Sequence, residues 1–207
     1  MADIAPYRRS PLSVNRFEHR RYLVRKKIFT FFGGAFHIYD PNGDVAFYSK
    51  QKAFKLKEDI RVYTGEDMTT EVLTIKARNI FDFGATFDVF EPGTGMKVGA
   101  LRRQALKSIL RDEWLILDAN DRQIGKIQED SLALALVRRF LLNLIPQSYT
   151  GEINGQTVCT FEQNFNPFVL KMTLDFGPDV GGLLDRRLGI AGAVLLTAIE
   201  GRQKQLD

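Results

Sequence analysis

Lys50, Lys52, Lys55 and Lys57 are the side chains most suited to chemistry on a ligand. In an extended chain, residues two apart share a face, so Lys50 with Lys52 and Lys55 with Lys57 form two cationic pairs that fit phosphate groups. Arg20, Arg21, Lys26 and Lys27 add charge nearby in sequence. Residues 1–57 hold 12 basic and 4 acidic residues, a balance of +8, whereas residues 58–207 hold 17 and 21, a balance of −4. A local positive field of this kind suits an anionic partner. The competing explanation for the lysines is an edge strand that uses them to keep other chains from pairing.

Other chemistry is thinly supplied. Two His (His19, His37) and one Cys (Cys159) fall short of the about four donors of a structural zinc site, and no disulfide can form within the chain. Neither His stands in a nucleophile pattern. Gly93 to Gly99 imitates a dinucleotide loop, but its third glycine comes one place late and a strand follows where a helix must begin. Asp118 to Asp121 starts like a calcium loop, yet Arg122 and Gln123 occupy positions that need a ligand oxygen and a turn glycine. Both segments read as hairpin turns. No enzyme, no cofactor and no metal is expected.

The elements that must position the cations are strands. Short stretches alternate apolar with polar residues between Gly, Asn, Asp and Pro, which is the mark of antiparallel sheet. Strands are expected near 22–31, 34–39, 44–50, 58–63, 71–77, 84–90, 97–102, 111–117, 123–128, 147–153, 156–163 and 168–175. Three hairpins repeat one pattern of strand, acidic residue, turn and glycine, around Asp40, Glu91 and Asp118, and Asn154-Gly155 signals a fourth tight turn. So many strands leave exposed edges unless the sheet closes, which predicts a barrel.

Two segments break the alternation. Residues 131–145 predict a helix after Asp130-Ser131, stopped by Pro146, with Arg138-Arg139 inside an apolar run. It suits packing across a barrel end, a protein partner, self-association or a membrane surface. The second helix follows Gly177-Pro178-Asp179 and is apolar all round from Leu188 to Ile199, kept thin by Gly189, Ala191, Gly192, Ala193 and Ala198. Such a helix must be buried, and a surrounding sheet would bury it. Its twelve apolar residues span only about 18 Å, short of a roughly 30 Å hydrocarbon layer. Arg186 and Arg187 are expected to pair with Asp179 or Asp185.

The hairpins around Asp40, Glu91 and Asp118, followed by the segment from Asp185-Arg186-Arg187 to Glu200, resemble the tubby C-terminal-like superfamily, above all its phospholipid scramblase and LURP-one-related branches. The resemblance covers roughly residues 21–207 and implies a closed barrel of about twelve strands threaded by its terminal helix. It also implies binding of anionic phospholipid or phosphoinositide head groups by basic side chains. No acidic calcium-binding segment lies near the final helix, so calcium-driven lipid movement is not expected. The expectation is thus a flexible basic leader over 1–20 and one mainly β domain over 21–207. It is expected to be cytoplasmic, to meet acidic phospholipid membranes peripherally through the eight cations named above, and to bind no nucleic acid.

Overall fold

A computed structural model describes residues 16–27, 34–51, 59–78, 84–104, 113–130, 146–164 and 169–206. Its strands are β1 (Arg21–Lys27), β2 (Gly34–Tyr39), β3 (Val45–Gln51), β4 (Ile60–Tyr63), β5 (Glu71–Ala77) and β6 (Thr86–Glu91). They continue as β7 (Met96–Arg103), β8 (Glu113–Leu117), β9 (Gln123–Glu129), β10 (Ser148–Ile153), β11 (Gln156–Asn164) and β12 (Val169–Asp175). Each strand pairs antiparallel with its sequence neighbours, and β1 pairs with β12, so the sheet closes into the expected barrel. Closure leaves no strand edge to recruit another chain. One helix is described, α1 (Arg186–Leu206). The helix expected over 131–145 lies outside the described residues.

Turn chemistry gives the barrel two unlike ends. Asp40 Oδ1 accepts the backbone N–H groups of Asn42 and Asp44, both at 2.9 Å, and Asp118 Oδ1 accepts those of Asn120 and Arg122 at 2.8 and 2.9 Å. The carboxylate thereby stands in for a backbone acceptor and folds the chain back on itself. The reversal passes through left-handed backbone at Gly43 (φ 89°) and Asp121 (φ 64°). A register shift sits beside the turn in the β2–β3, β6–β7 and β8–β9 hairpins. Such bulges sharpen local twist, which a closing sheet needs. All these tight turns gather at one end, here the turn end. At the opposite end, the rim, the odd-numbered strands finish and the even-numbered strands begin.

Alternation sends one face of each strand inward. Tyr22, Phe36, Phe47, Ile75, Leu101, Ile116, Tyr149 and Phe161 are all buried in one core. Strand β8 is buried on both faces, with Leu115 and Leu117 joining Ala100 in a small outer cluster. Along α1 the eleven positions 188–198 are buried without interruption, about three turns, so every side of the helix is covered. Leu188 lies against Gly99 of β7, Gly192 faces Ile127 of β9 and Phe161 of β11, and Thr197 Oγ1 meets Met172 Sδ of β12 at 3.7 Å. These strands lie around the barrel wall, and the helix runs inside it.

Thinness is what allows this. A Cβ added at Gly189 would enter the Phe176 ring, whereas one at Gly192 would lie 3.3 Å from Ile127 Cδ1. Gly189→Ala is therefore expected to cost about 1–3 kcal/mol through overpacking. Gly192→Ala should cost little, since helix propensity favours alanine by up to about 1 kcal/mol. Paired denaturant titrations decide the point: equal stability losses in the two variants would refute the difference in packing.

Residues 16–20, which the sequence reading assigned to the leader, pack onto the turn end. Strands β3 and β4 share one registered pair, Tyr48 with Tyr63. Beyond it, Arg16 Nη1 donates to the carbonyls of Ala46 and Thr64, both at 2.9 Å, and of Val45 at 3.3 Å. Phe17 packs tilted against Phe47 with ring centroids 4.6 Å apart, and the buried Tyr22 hydroxyl donates to Arg16 O at 2.7 Å. Arg186 Nη1 donates to His19 O at 3.1 Å, tying this strap to the start of α1. The two hydrogens of Nη1 serve the carbonyls of Ala46 and Thr64, and the longer contact to Val45 O shares one of them.

Candidate functional site

The outer wall formed by β12, β1, β2 and β3 brings basic residues together. Register places Lys171 directly opposite Arg25, Arg25 opposite His37, His37 opposite Tyr48, and Tyr48 opposite Tyr63. Partners across an antiparallel pair share a face with Cβ atoms about 5 Å apart, and like charges so placed repel. Nearer the rim, Ala35 stands opposite the exposed Lys50. The Arg25 guanidinium rests over the Tyr39 ring, 5.6 Å from its centroid, and His37 stacks on Tyr39 at 6.1 Å. His37 Nε2 also lies 2.8 Å from Glu66 of the β4–β5 turn. Among the described residues no carboxylate forms an ion pair with Arg25, Lys50 or Lys171. Glu162, the nearest carboxylate by register, faces Thr173, one step further toward the turn end. The wall therefore presents cations whose charge is not cancelled, beside aromatic surface.

The predicted site residues divide. Lys50 lies on this wall. Lys27 ends β1 opposite Val169. Lys26 falls on the other side of the alternation, buried with its ammonium 5.0 Å from the Phe36 ring centroid. Arg20 and Arg21 sit at the turn end, where both reach Asp175, at 3.6 and 2.6 Å. Burial alone would raise the Asp175 carboxyl, but bonds from Arg21 and the Gly177 N–H outweigh it and hold the group below the usual carboxylate range. Lys52, Lys55 and Lys57 lie outside the described residues. Sequence reading missed Arg25 and Lys171. The signal for Arg25 was present, because Arg21 and Arg25 share one strand face and Lys26 does not. Lys171 becomes its neighbour only through closure of the barrel.

Several cations elsewhere are paired with carboxylates. Arg187 binds Asp185 at 2.7 Å and reaches Glu91 at 3.6 Å, as the expected pairing of the helix start required. Asp179 instead accepts the N–H groups of Leu183 and Leu184 at 2.8 and 3.1 Å, and Arg186 covers the Phe176 ring at 4.4 Å. On the wall of β5, β6 and β7, Arg78 and Lys97 clasp Asp88 together with Asp121 of the β8–β9 turn. Bonds from Arg78 and Lys97 pull Asp121 down to about 2. Burial works against the same bonds at Asp88, which still ends below its ordinary value.

A carboxylate whose folded pKa lies below its unfolded value of about 3.9 contributes stability above that value and loses it as pH falls through the folded pKa. Stability is thus expected to drop between about pH 4 and 2. Asp121→Asn should flatten that drop while keeping the turn, because asparagine also tolerates left-handed backbone. Denaturant midpoints across this window provide the measurement, and an unchanged slope in the variant would contradict the assignment.

No group of three or more His, Cys, Asp or Glu able to hold a metal occurs among the described residues, and none of their helices is long and apolar enough to cross a membrane. No protein-family model, curated protein or solved structure matches the chain.

Proposed function

We propose that the protein is a non-enzymatic barrel that binds anionic phospholipid head groups, phosphoinositides included, on the basic wall formed by β12, β1, β2 and β3. One observation carries the reading: Lys171 stands directly opposite Arg25, and among the described residues no carboxylate is paired to either. Two adjacent cations repel each other in the free protein, and a phosphate between them turns that repulsion into charge-assisted hydrogen bonding. Lys50 extends the field toward the rim, and Lys27 ends the strand that carries Arg25. The local excess of +8 over residues 1–57 and the resemblance to lipid-binding barrels support the same ligand class. Each cation near an anionic surface contributes about 1 kcal/mol, so a handful gives reversible, peripheral attachment.

Flotation with phosphatidylcholine vesicles, with and without phosphatidylglycerol or a phosphoinositide, tests the proposal. Binding should require the anionic lipid and weaken as salt rises, since screening acts on exposed charge. Equal behaviour on neutral and anionic vesicles would overturn it.

A further inference from the structure

We infer that His37 and Glu66 form a proton-operated charge gate on the basic wall, so that the wall holds anionic head groups more tightly in mild acid than at neutral pH. This rests on the lipid reading above and adds its regulation.

Strand pairing builds the gate. Lys171 of β12, Arg25 of β1, His37 of β2, Tyr48 of β3 and Tyr63 of β4 stand directly opposite one another in a row across the wall. His37 is thus the next side chain after the two adjacent cations, with its Cβ about 5 Å from that of Arg25. The groups facing its ring come from four elements. Arg25 flanks it on β1, Tyr39 of β2 stacks on it at 6.1 Å, and Tyr48 of β3 meets it edge-on at 5.1 Å. From the β4–β5 turn, Glu66 Oε1 lies 2.8 Å from His37 Nε2. Among the described residues this is the only carboxylate paired with His37.

The β4–β5 turn uses its two acids differently. Asp67 accepts the Thr69 hydroxyl at 3.0 Å and so serves the turn itself. Glu66 reaches back across β3 to His37, and burial, with the charge of Glu66 adding to it, raises the Tyr48 phenol on the way. The row therefore holds one negative charge beside its cations, and that charge opposes an anionic ligand.

Histidine is the side chain that changes charge between about pH 5 and 8. With a neutral imidazole, the His37–Glu66 pair carries one negative charge; with an imidazolium, the two charges cancel. A ring N–H can donate to the carboxylate in either state, so the contact persists while the charge beside Arg25 and Lys171 changes. One unit of charge near an anionic surface corresponds to about fivefold in affinity. The Glu66 side chain is 67% exposed, so low ionic strength shows the effect best. The chain has two histidines, and the other, His19, sits in the strap at the turn end, 3.7 Å from Asp40.

Flotation of the full chain on phosphatidylglycerol vesicles at about pH 7.5 and 5.5 tests the gate. The phosphodiester of this lipid keeps its charge over that range, whereas a phosphomonoester gains a proton near about pH 6. Affinity is expected to rise about fivefold at the lower pH. His37→Gln should abolish the rise, because glutamine can still bond Glu66 but takes up no proton. His19→Gln should keep it. Glu66→Gln approaches the acid state from the other side of the pair: at the higher pH it should bind about fivefold more tightly than the unaltered protein, matching that protein at the lower pH. Equal affinity at the two pH values, a rise that survives in His37→Gln, or a Glu66→Gln variant no tighter at the higher pH overturns the gate while leaving the lipid reading standing. Absence of any vesicle binding at both pH values overturns both.

Discussion

A chain cut after Gly182 is expected to lose the barrel together with the helix. Leu188, Ile190, Val194, Leu195 and Leu196 are each at most 4% exposed, and all of them face barrel wall. Burying one such side chain contributes about 1.5–3 kcal/mol, so the five together amount to about 8–15 kcal/mol. That matches the whole net stability of an ordinary domain, about 5–15 kcal/mol. Removing the helix also leaves the inward aromatics Phe161 and Phe176 beside an empty channel instead of a packed core. The truncated chain should show no cooperative unfolding transition by circular dichroism and should bind hydrophobic dyes. A truncated protein that melts cooperatively near the full-length midpoint would mean that the barrel is stable without its axial helix.

The second large effect concerns the basic wall. Replacing Arg25, Lys50 and Lys171 by Glu removes three cations worth about 1 kcal/mol each at an anionic surface and adds three repelling charges. Vesicle affinity should fall by more than about 100-fold. Arg122→Glu, in the β8–β9 turn, should leave it nearly unchanged. The single change Lys171→Glu separates binding from folding most clearly. It converts a like-charge pair into an opposite pair with Arg25, which should stabilise the barrel by about 0.2–1 kcal/mol while weakening attachment. A lower melting midpoint together with weaker binding would show that Lys171 serves the fold and not a ligand.

Much of the fold was legible because its causes are local. Alternation marked the strands, and the Asp40 and Asp118 turns and Asn154-Gly155 could be assigned from residue chemistry within a few positions. The axial helix was legible for a different reason, since Leu188 to Ile199 offers water no polar face. The site was harder. Lys50 was visible, but the clustering of Arg25 and Lys26 in sequence hides the fact that a strand leaves Arg25 exposed and buries Lys26. Arg25 and Lys171 are neighbours only because β1 closes on β12, and no local pattern encodes that seam. The Arg16 strap escaped notice for the same reason, as its acceptors lie 29 to 48 residues away.

The closing seam also has a kinetic meaning. Arg21 and its partner Asp175 are 154 residues apart in sequence, so the last ladder joins segments whose encounter carries a large loop-closure cost. Domains dominated by such distant pairings fold slowly, in milliseconds to seconds. Here a second constraint is added. Because residues 188–198 are enclosed on every side, the wall cannot seal first and admit the helix afterwards; sealing and threading must be completed as one event. Until then the chain carries both an unsatisfied strand edge and a bare apolar rod, the two features that drive partly folded proteins to associate. The axial helix that gives the finished barrel its core is thus also the source of its greatest hazard on the way there.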